Sequence, residues 1–247
     1  MNYQKLLGIS SVVLLWQIIA VLPIVDPFFF PGPLTVVTAF ITLLPSGLFQ
    51  DISATFFRVG ESFLISTIIA IPLGLLLGHY AAIYRSIEPI IDFLRSLPAT
   101  AVFPVFMLFF GIGNLSKIAV AVFGAFLIIM FNTAFGVVHS KQLRTLAARL
   151  MGASSWKIFR SITFWEGLPY IFVGLRNSVS LTLILIIFTE MFVGSTAGIG
   201  RRIVDSQVSF KIPEMYAALL AAGLLGYILN HVLILIEKRL IHWSGSA

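Results

Sequence analysis

About six apolar stretches, separated by short polar loops, constrain this chain more than any other feature of its sequence. A hydrocarbon core of roughly 30 Å is crossed by about 20 residues of helix. In lipid the backbone must satisfy its own hydrogen bonds, so a spanning stretch becomes a helix. The stretches lie at about 6–25, 55–78, 97–111, 118–138, 170–193 and 215–236. We therefore expect an all-α polytopic membrane protein with about six transmembrane helices.

The composition leaves no room for a soluble domain. Hydrophobic residues make up 59% of the chain and charged residues only 11%, as expected of a helical membrane protein. We predict a single transmembrane domain over 1–247. The absence of cysteine excludes disulfides and thiolate metal sites.

The cations predict an orientation, because Lys and Arg are enriched in cytosolic loops. Ten of them fall on one side if both termini are cytosolic: Lys5, Arg85, Arg95, Lys141, Arg144, Arg149, Lys157, Arg160, Lys238 and Arg239. Four fall on the other side: Lys117, Arg201, Arg202 and Lys211. We therefore expect a multi-pass protein of a bacterial plasma membrane with both termini inside.

Prolines interrupt two apolar segments. Residues 34–44 are too short to span and are bracketed by prolines, so we expect an interfacial or re-entrant helix on the outer face. The stretch 97–111 contains Pro98 and Pro104, which predict a kinked or broken span. The polar segment 79–96 is expected to be a cytosolic helix.

The segment 139–170 is predicted to be a cytosolic loop with two short helices. Good helix formers occupy 142–151, and Gly152 is the natural position for the chain to leave that helix in a left-handed conformation. Ser154 or Ser155 can then cap a second helix starting at Trp156. Such a loop either docks a partner or simply lies on the membrane surface.

Two features within the spans are candidates for function. Ser178, Thr182 and Thr189 fall with Gly174 in one arc of about 80°, a stripe that faces either another helix or a water-filled path. Glu190 is the only acid deep in an apolar span, and a carboxylate there is expensive. We favour a structural or gating role for Glu190, with Arg201 or Arg202 within reach, because its negative charge would oppose an anionic substrate.

Catalytic and cofactor motifs are absent from the sequence. It contains no GxxxxGK[ST], HExxH or GxSxG pattern, and its four histidines lack metal-ligand spacing. We expect no enzyme activity, no cofactor and no metal in this chain. A stand-alone carrier would show inverted repeats and more buried ionisable groups.

The loop and five other segments carry a family resemblance, and the first of the five is SLPATAVFPVFMLFFGIGNLSKIAVAVFGAF at 96–126. Ala147, Ala148, Gly152 and Ile162 match the spacing of the "EAA" loop of permease subunits of binding-protein-dependent ABC importers. FNTAFGV at 131–137, LPYIFVGLR at 168–176, TEMFVGSTAGIG at 189–200 and LLGYILNHVLILIEKRLIHW near the C-terminus resemble the nitrate, sulfonate, taurine and bicarbonate branch. The chain departs from the family at Leu146, where a glutamate is usual.

This resemblance implies a type I ABC-importer permease fold and a set of partners. Two copies would form the pore, two cytosolic ATPases would bind the paired loops and hold ATP and Mg, and a substrate-binding protein would dock outside. The residues implied in ATPase coupling are Arg144, Leu146, Ala147, Ala148, Met151, Gly152 and Ala153.

The implied substrate is a small anion of the nitrate, bicarbonate, sulfonate or taurine type. The alternatives are a permease for a vitamin precursor, a stand-alone secondary carrier or channel, and a membrane anchor that recruits a cytosolic complex.

Overall fold

The structure is a computed structural model that describes residues 3–22, 26–140, 142–192 and 195–241. Within these residues every regular element is helical, which confirms the predicted all-α class. The helices are α1 (Tyr3–Val21), α2 (Pro33–Leu43), α3 (Phe49–His79), α4 (Ala81–Ser96), α5 (Phe103–Phe110), α6 (Asn114–Val138), α7 (Gln142–Leu150), α8 (Ser155–Ile158), α9 (Phe164–Phe192), α10 (Ile199–Val208) and α11 (Ile212–Leu240).

The apolar helices fit a membrane protein. Among the described residues, four helices are long and apolar enough to cross a membrane, namely Pro33–His79, Asn114–Val138, Ser155–Phe192 and Ile212–Leu240. The bent pair Ala82–Ser96 and Ala99–Phe110 makes a fifth when it counts as one span, and Leu6–Val21 is a shorter apolar helix. The six predicted stretches overlap these helices in order.

Both predicted interruptions have a visible backbone cause. Leu97 is extended (φ −72°, ψ 126°) because Pro98 disfavours the helical region for the residue before it, and the flanking helices are bent by 85° there. A break in the helix at Pro98 is therefore confirmed, and the spanning of the membrane by this segment stays a prediction. Residues 34–43 fall in α2, and a kink at Leu44–Leu48 separates α2 from α3, because Ser46 (φ −91°, ψ 28°) and Gly47 (φ +106°) are not helical. The interfacial or re-entrant placement of this segment stays a prediction.

By their internal contacts the residues form two compact units. The first comprises Met1–Thr55 and Glu190–Leu225, and the second Phe56–Thr189 and Gly226–Ala247. The single domain over 1–247 stays a prediction.

In the second unit, α3 packs against α6 through two glycines. A Cβ atom at Gly74 would lie 2.6 Å from Thr133 Cβ and 2.7 Å from the Met130 carbonyl oxygen. One at Gly78 would lie 2.5 Å from Val137 Cβ. The two backbones thus touch over a helical turn, the close approach that small residues permit between membrane helices.

The other side of α6 packs as closely on α9. A Cβ at Gly136 would lie 2.7 Å from Tyr170 Cβ, and one at Gly174 would lie 2.8 Å from Asn132 Cβ. Near the middle of α6, a Cβ at Gly124 would meet the flexible end of the Leu185 side chain at 2.7 Å. The helix α6 is therefore held between α3 and α9 by contacts that only glycine permits.

We expect Gly74→Ala to destabilise the protein by about 1–3 kcal/mol, because the added methyl group meets the α6 backbone. Gly60→Ala is the matched control, since it lies on the same helix with nothing within 4 Å of the added Cβ. Thermal unfolding in detergent should show a lower Tm for Gly74→Ala only. Equal Tm values for the two variants would contradict this packing.

Candidate coupling and gating sites

The turn between α7 and α8 has the geometry that its sequence predicts. Gly152 has φ +80°, and its N–H donates to the Arg149 carbonyl at 2.9 Å. The N–H of Ala153, which is half-buried, donates to the Ala148 carbonyl at 3.0 Å. These two bonds form a Schellman motif, which ends α7 and satisfies two of its last carbonyls. The left-handed glycine is confirmed.

Ser154 caps the second helix. Its Oγ accepts a hydrogen bond from the Lys157 N–H at 3.3 Å, and α8 begins at Ser155, one residue earlier than expected. The N-cap satisfies an amide that has no partner within the helix. Together the Schellman turn and the cap fix the angle between α7 and α8.

The two alanines of the loop face opposite ways. Ala148 is buried, with 7% of its surface exposed, whereas Ala147 is exposed. Beside Ala147 lie four exposed apolar side chains: Leu143 (82%), Leu146 (55%), Leu150 (82%) and Met151 (81%). The outward side of α7 is thus apolar, and only Ala147 of the pair is available to a partner.

Arg144 is held within the chain. Its Nη1 lies 2.9 Å from Glu166 Oε1, and the carboxylate side chain is only 13% exposed. This ion pair ties α7 to the first turn of α9. The coupling role of Arg144 and of the other loop residues stays a prediction, but the structure brings them together on one short segment.

In the first unit, Glu190 is buried (2% exposed) and receives hydrogen bonds from two directions. The Thr55 hydroxyl donates to its carboxylate at 2.9 and 3.0 Å, and the Gly200 N–H donates to Oε2 at 3.0 Å. The same Thr55 oxygen accepts the Ile199 N–H at 2.9 Å. One carboxylate and one hydroxyl therefore satisfy two amides at the start of α10.

Asp51 completes this arrangement. Its Oδ1 accepts the Gly198 N–H at 2.8 Å, and its Oδ2 forms an ion pair with Arg202. Gly198 has φ +148°, and a Cβ there would lie 2.5 Å from the Glu190 carboxyl carbon. We name Asp51, Thr55 and Glu190, with the amides of 198–200, the α10 clamp. Negative charge at a helix N-terminus is favourable because the amides carry partial positive charge.

The sequence singles out Glu190 but not Asp51 or Thr55. These two lie more than 130 positions before their partners, and nothing local in the sequence marks them. A structural or gating role for Glu190 stays a prediction. In such a role, its hydrogen bonds would hold the start of α10 in place or release it.

The hydroxyl stripe on α9 is buried and bonded to its own helix. Ser178, Thr182 and Thr189 are fully buried. Their hydroxyls donate to carbonyls three or four residues earlier at 2.7–2.9 Å. Their complete burial fits helix packing, and the lining of a pathway stays a prediction.

The cations of the 195–214 segment are each paired with an acid. Arg201 bonds Asp205 at 2.9 Å, Arg202 pairs with Asp51, and Lys211 lies 3.4 Å from Glu214. These pairs surround a cavity of about 280 Å³. The cavity wall therefore balances three positive charges with three negative ones.

We expect Glu190→Gln to loosen the start of α10, because its amide group replaces one of the acceptor oxygens facing Thr55 and Gly200. Hydrogen bonds to charged groups contribute about 1.5–3 kcal/mol, so local opening should rise about tenfold or more. The cysteine-free chain allows a single probe, Ser206→Cys, at a buried position of α10. The rate of its labelling by a water-soluble maleimide reports this opening.

Asp205→Asn is the control for that experiment, because Asp205 is an exposed acid on the same helix. Its labelling rate should match that of the unsubstituted chain. Equal rates for Glu190→Gln and Asp205→Asn would show that the clamp does not hold α10.

Comparisons with known proteins agree on one family. Residues 70–243 match the model of the family described as "Binding-protein-dependent transport system inner membrane component". A probable ABC transporter permease protein of Brucella abortus is 31% identical over 88% of this chain and 87% of its own length. A putative aliphatic sulfonates transport permease of Bacillus subtilis is 27% identical over 96% and 86%, respectively.

A nitrate import permease of Leptolyngbya laminosa is 32% identical over 79% of this chain and 70% of its own length. Among solved structures, an inward-facing form of the MetNI methionine ABC transporter matches 81% of this chain and 97% of its own with a TM-score of 0.61. Because the sequence identity is only 20%, this structural similarity supports the fold alone.

Proposed function

Because this chain belongs to the family of inner membrane components of binding-protein-dependent transport systems and is thus an ABC importer permease, we propose that its substrate is a small anion. Two relatives carry names that specify aliphatic sulfonates and nitrate. A third, from Escherichia coli, is named a taurine transport permease. All three substrates are small and carry an anionic group. Membership of this family excludes a stand-alone carrier, and no feature of the described part of the chain favours a vitamin precursor.

A separate binding protein determines which substrate is transported. Arg201, Arg202 and Lys211 are paired with acids of the same chain, so they form no net positive funnel for an anion. A surface of balanced charges suits a protein partner, since paired charges set register and exclude wrong partners. The binding protein docks on the outer side, where the cation count places this segment.

The functional assembly contains two copies of this chain, two ATP-binding subunits and one binding protein. ATP and Mg are held by the ATP-binding subunits, and this chain is the transport subunit. Both termini and the α7–α8 segment face the cytosol. This orientation follows from the cation count, ten against four.

The observation that carries the coupling mechanism is that helix α7 is exposed and that hydrogen bonds fix its C-terminal end. It presents Leu143, Ala147 and Leu150 outward and is fixed by the Schellman turn at Gly152. Such a helix can enter a groove on a partner and transmit a push, because its C-terminal end is held by these hydrogen bonds.

The segment lies between α6 and α9 in sequence, and these helices touch at Gly136 and Gly174. Displacement of α7 therefore moves both helices as a packed pair. ATP-driven closure of the ATP-binding subunits draws the two α7 helices together and switches the bundle between inward and outward access.

Ala147→Trp should abolish assembly with the ATP-binding subunit, because the large ring stands where the partner approaches. Ala147→Ser is the control, a small side chain at the same exposed position. The measurement is affinity purification of the tagged chain in detergent, with mass spectrometry of the proteins recovered. Equal recovery of a P-loop ATPase with both variants would contradict docking at α7.

Proteoliposomes containing the assembled importer test the substrate. Uptake of taurine, an alkanesulfonate, nitrate or bicarbonate should require ATP and the binding protein, and one of these anions should stimulate ATP hydrolysis. Uptake of a neutral pyrimidine in preference to every anion would refute the anion proposal. Uptake of any solute by the chain without ATP would refute the importer.

A further inference from the structure

One exposed face of α9 carries polar residues in the middle of the candidate span Ser155–Phe192. Four residues at helical spacing are exposed there: Val173, Asn177, Ser180 and Ile184. At about 100° per residue they fall within one arc of about 60°. This arc lies on the other side of α9 from its buried hydroxyl stripe, and two of its four residues are polar.

A second exposed polar pair lies on α11. Tyr227 is 69% exposed and His231 is exposed, and their rings stack with centroids 5.8 Å apart. Because α11 runs from Ile212 to Leu240, both residues lie within about 8 Å of its middle along the helix axis. They are therefore far from the ends of the helix, where polar side chains meet water.

Two contacts define how α9 and α11 run past each other in the second unit. Arg176 Nε donates to Asn230 Oδ1 at 3.4 Å, and a Cβ atom at Gly226 would lie 3.0 Å from the Leu183 side chain. The residue numbers rise along α9 and fall along α11 between these contacts. The two helices are therefore antiparallel.

The polar residues of both helices lie on the same side of this antiparallel pair. Measured from the arginine of the first contact, Ser180 and Asn177 lie about 40° and 100° further round α9. Measured from the asparagine of that contact, Tyr227 and His231 lie about 60° and 100° further round α11. Rotation in the same sense about two antiparallel chains leads to the same side of the pair. The four residues therefore form one polar face.

We propose that this polar face, Asn177, Ser180, Tyr227 and His231, lines a water-filled translocation path between two copies of the chain and binds a small oxyanion in transit. The proposal rests on the proposed function and names the residues that would carry the anion. Each of the four side chains offers a hydrogen-bond donor, and sulfonate and nitrate oxygens accept hydrogen bonds. The binding protein selects the solute, but the path must still replace the water around its charge.

The charges near the polar face suit an anion. Arg176 pairs with Glu237 at 3.4 Å, yet its side chain remains 38% exposed between the two helices. The Ser180 hydroxyl donates to the Arg176 carbonyl at 3.4 Å, which is long for a hydroxyl donor, so this group can turn toward a ligand. None of the four residues is an acid, so the face itself carries no negative charge.

Lipid and a packed helix are the other environments that could cover this face. An ionisable side chain within a membrane helix almost always faces the interior of a bundle or water, which disfavours lipid at His231. Tight helix contacts in this chain use glycine, as at Gly74 and Gly136, whereas Asn177 and Tyr227 are bulky. A water-filled space fits both observations.

Cysteine labelling tests the environment of the face directly. In the cysteine-free chain, Ser180→Cys in proteoliposomes of the assembled importer should react with water-soluble methanethiosulfonates in the nucleotide-free or the vanadate-trapped state. Each rate is divided by the rate of the same reagent with a thiol in solution. The sulfonate-bearing reagent should then be at least about fivefold faster than the trimethylammonium-bearing one, because the donors and Arg176 favour negative charge.

Ile228→Cys is the matched control for labelling. Ile228 is 55% exposed on the same helix as Tyr227, but it lies about 160° round α11 from the α9 contact and so faces away from the polar face. A thiol there should react with neither reagent, because lipid covers an apolar exposed side of a membrane helix.

Uptake gives an independent readout. His231→Leu should lower ATP-dependent anion uptake about tenfold or more, because a hydrogen bond to a charged solute is lost. Its Tm should equal that of the unsubstituted chain, since His231 is exposed. Ile228→Leu, an exposed apolar change on the same helix, should leave both uptake and Tm unchanged.

Three results would overturn the inference while leaving the importer intact. The first is a thiol at position 180 that reacts with neither reagent in either state, which would place the face in lipid or in a packed contact. The second is a rate with the trimethylammonium reagent that equals or exceeds the rate with the sulfonate reagent. The third is unchanged uptake by His231→Leu. Uptake of a neutral solute in preference to every anion would instead overturn the proposed function.

Discussion

The close approach of α6 to α3 and α9 is the constraint on which the second unit depends. Lipid tails are as apolar as Leu, so membrane helices gain little from apolar burial and associate through tight packing and polar contacts. Glycines supply that packing here, at Gly74 and Gly78 on one side of α6 and at Gly136 and Gly174 on the other. The segment between α6 and α9 is thus anchored at both ends in one rigid group of helices, which suits it to carry a mechanical signal.

In the first unit, hydrogen bonds between a few buried polar groups provide the stabilising contacts. A buried carboxylate is costly unless hydrogen-bonded, and Glu190 receives bonds from Thr55 and from the backbone of α10. Asp51 adds a further bond to the Gly198 amide. The two acids therefore stabilise the start of α10, whose amides would otherwise lack partners. This helix lies in the segment that the cation count places on the outer side, where substrate is expected to enter an importer.

Local chemistry could be predicted from the sequence, whereas long-range pairing could not. The break at Pro98, the left-handed Gly152 and the cap at Ser154 each follow from one or two residues. The clamp joins residues more than 130 positions apart, and a single sequence holds no information on such pairs. The helical period places Ala147 and Ala148 on different sides of α7, but only packing against the rest of the unit decides that Ala148 faces inward.

The most direct test of the account is the distance between the two α7–α8 segments in the assembled importer. A spin label at Lys157→Cys, an exposed position in the Cys-free chain, gives one pair of labels for pulsed EPR in the proposed homodimer. Coupling through this segment predicts a single distance that shortens when ATP and Mg are added with vanadate. A distance that is unchanged by nucleotide, in a complex that still hydrolyses ATP and transports its substrate, would contradict coupling through this segment.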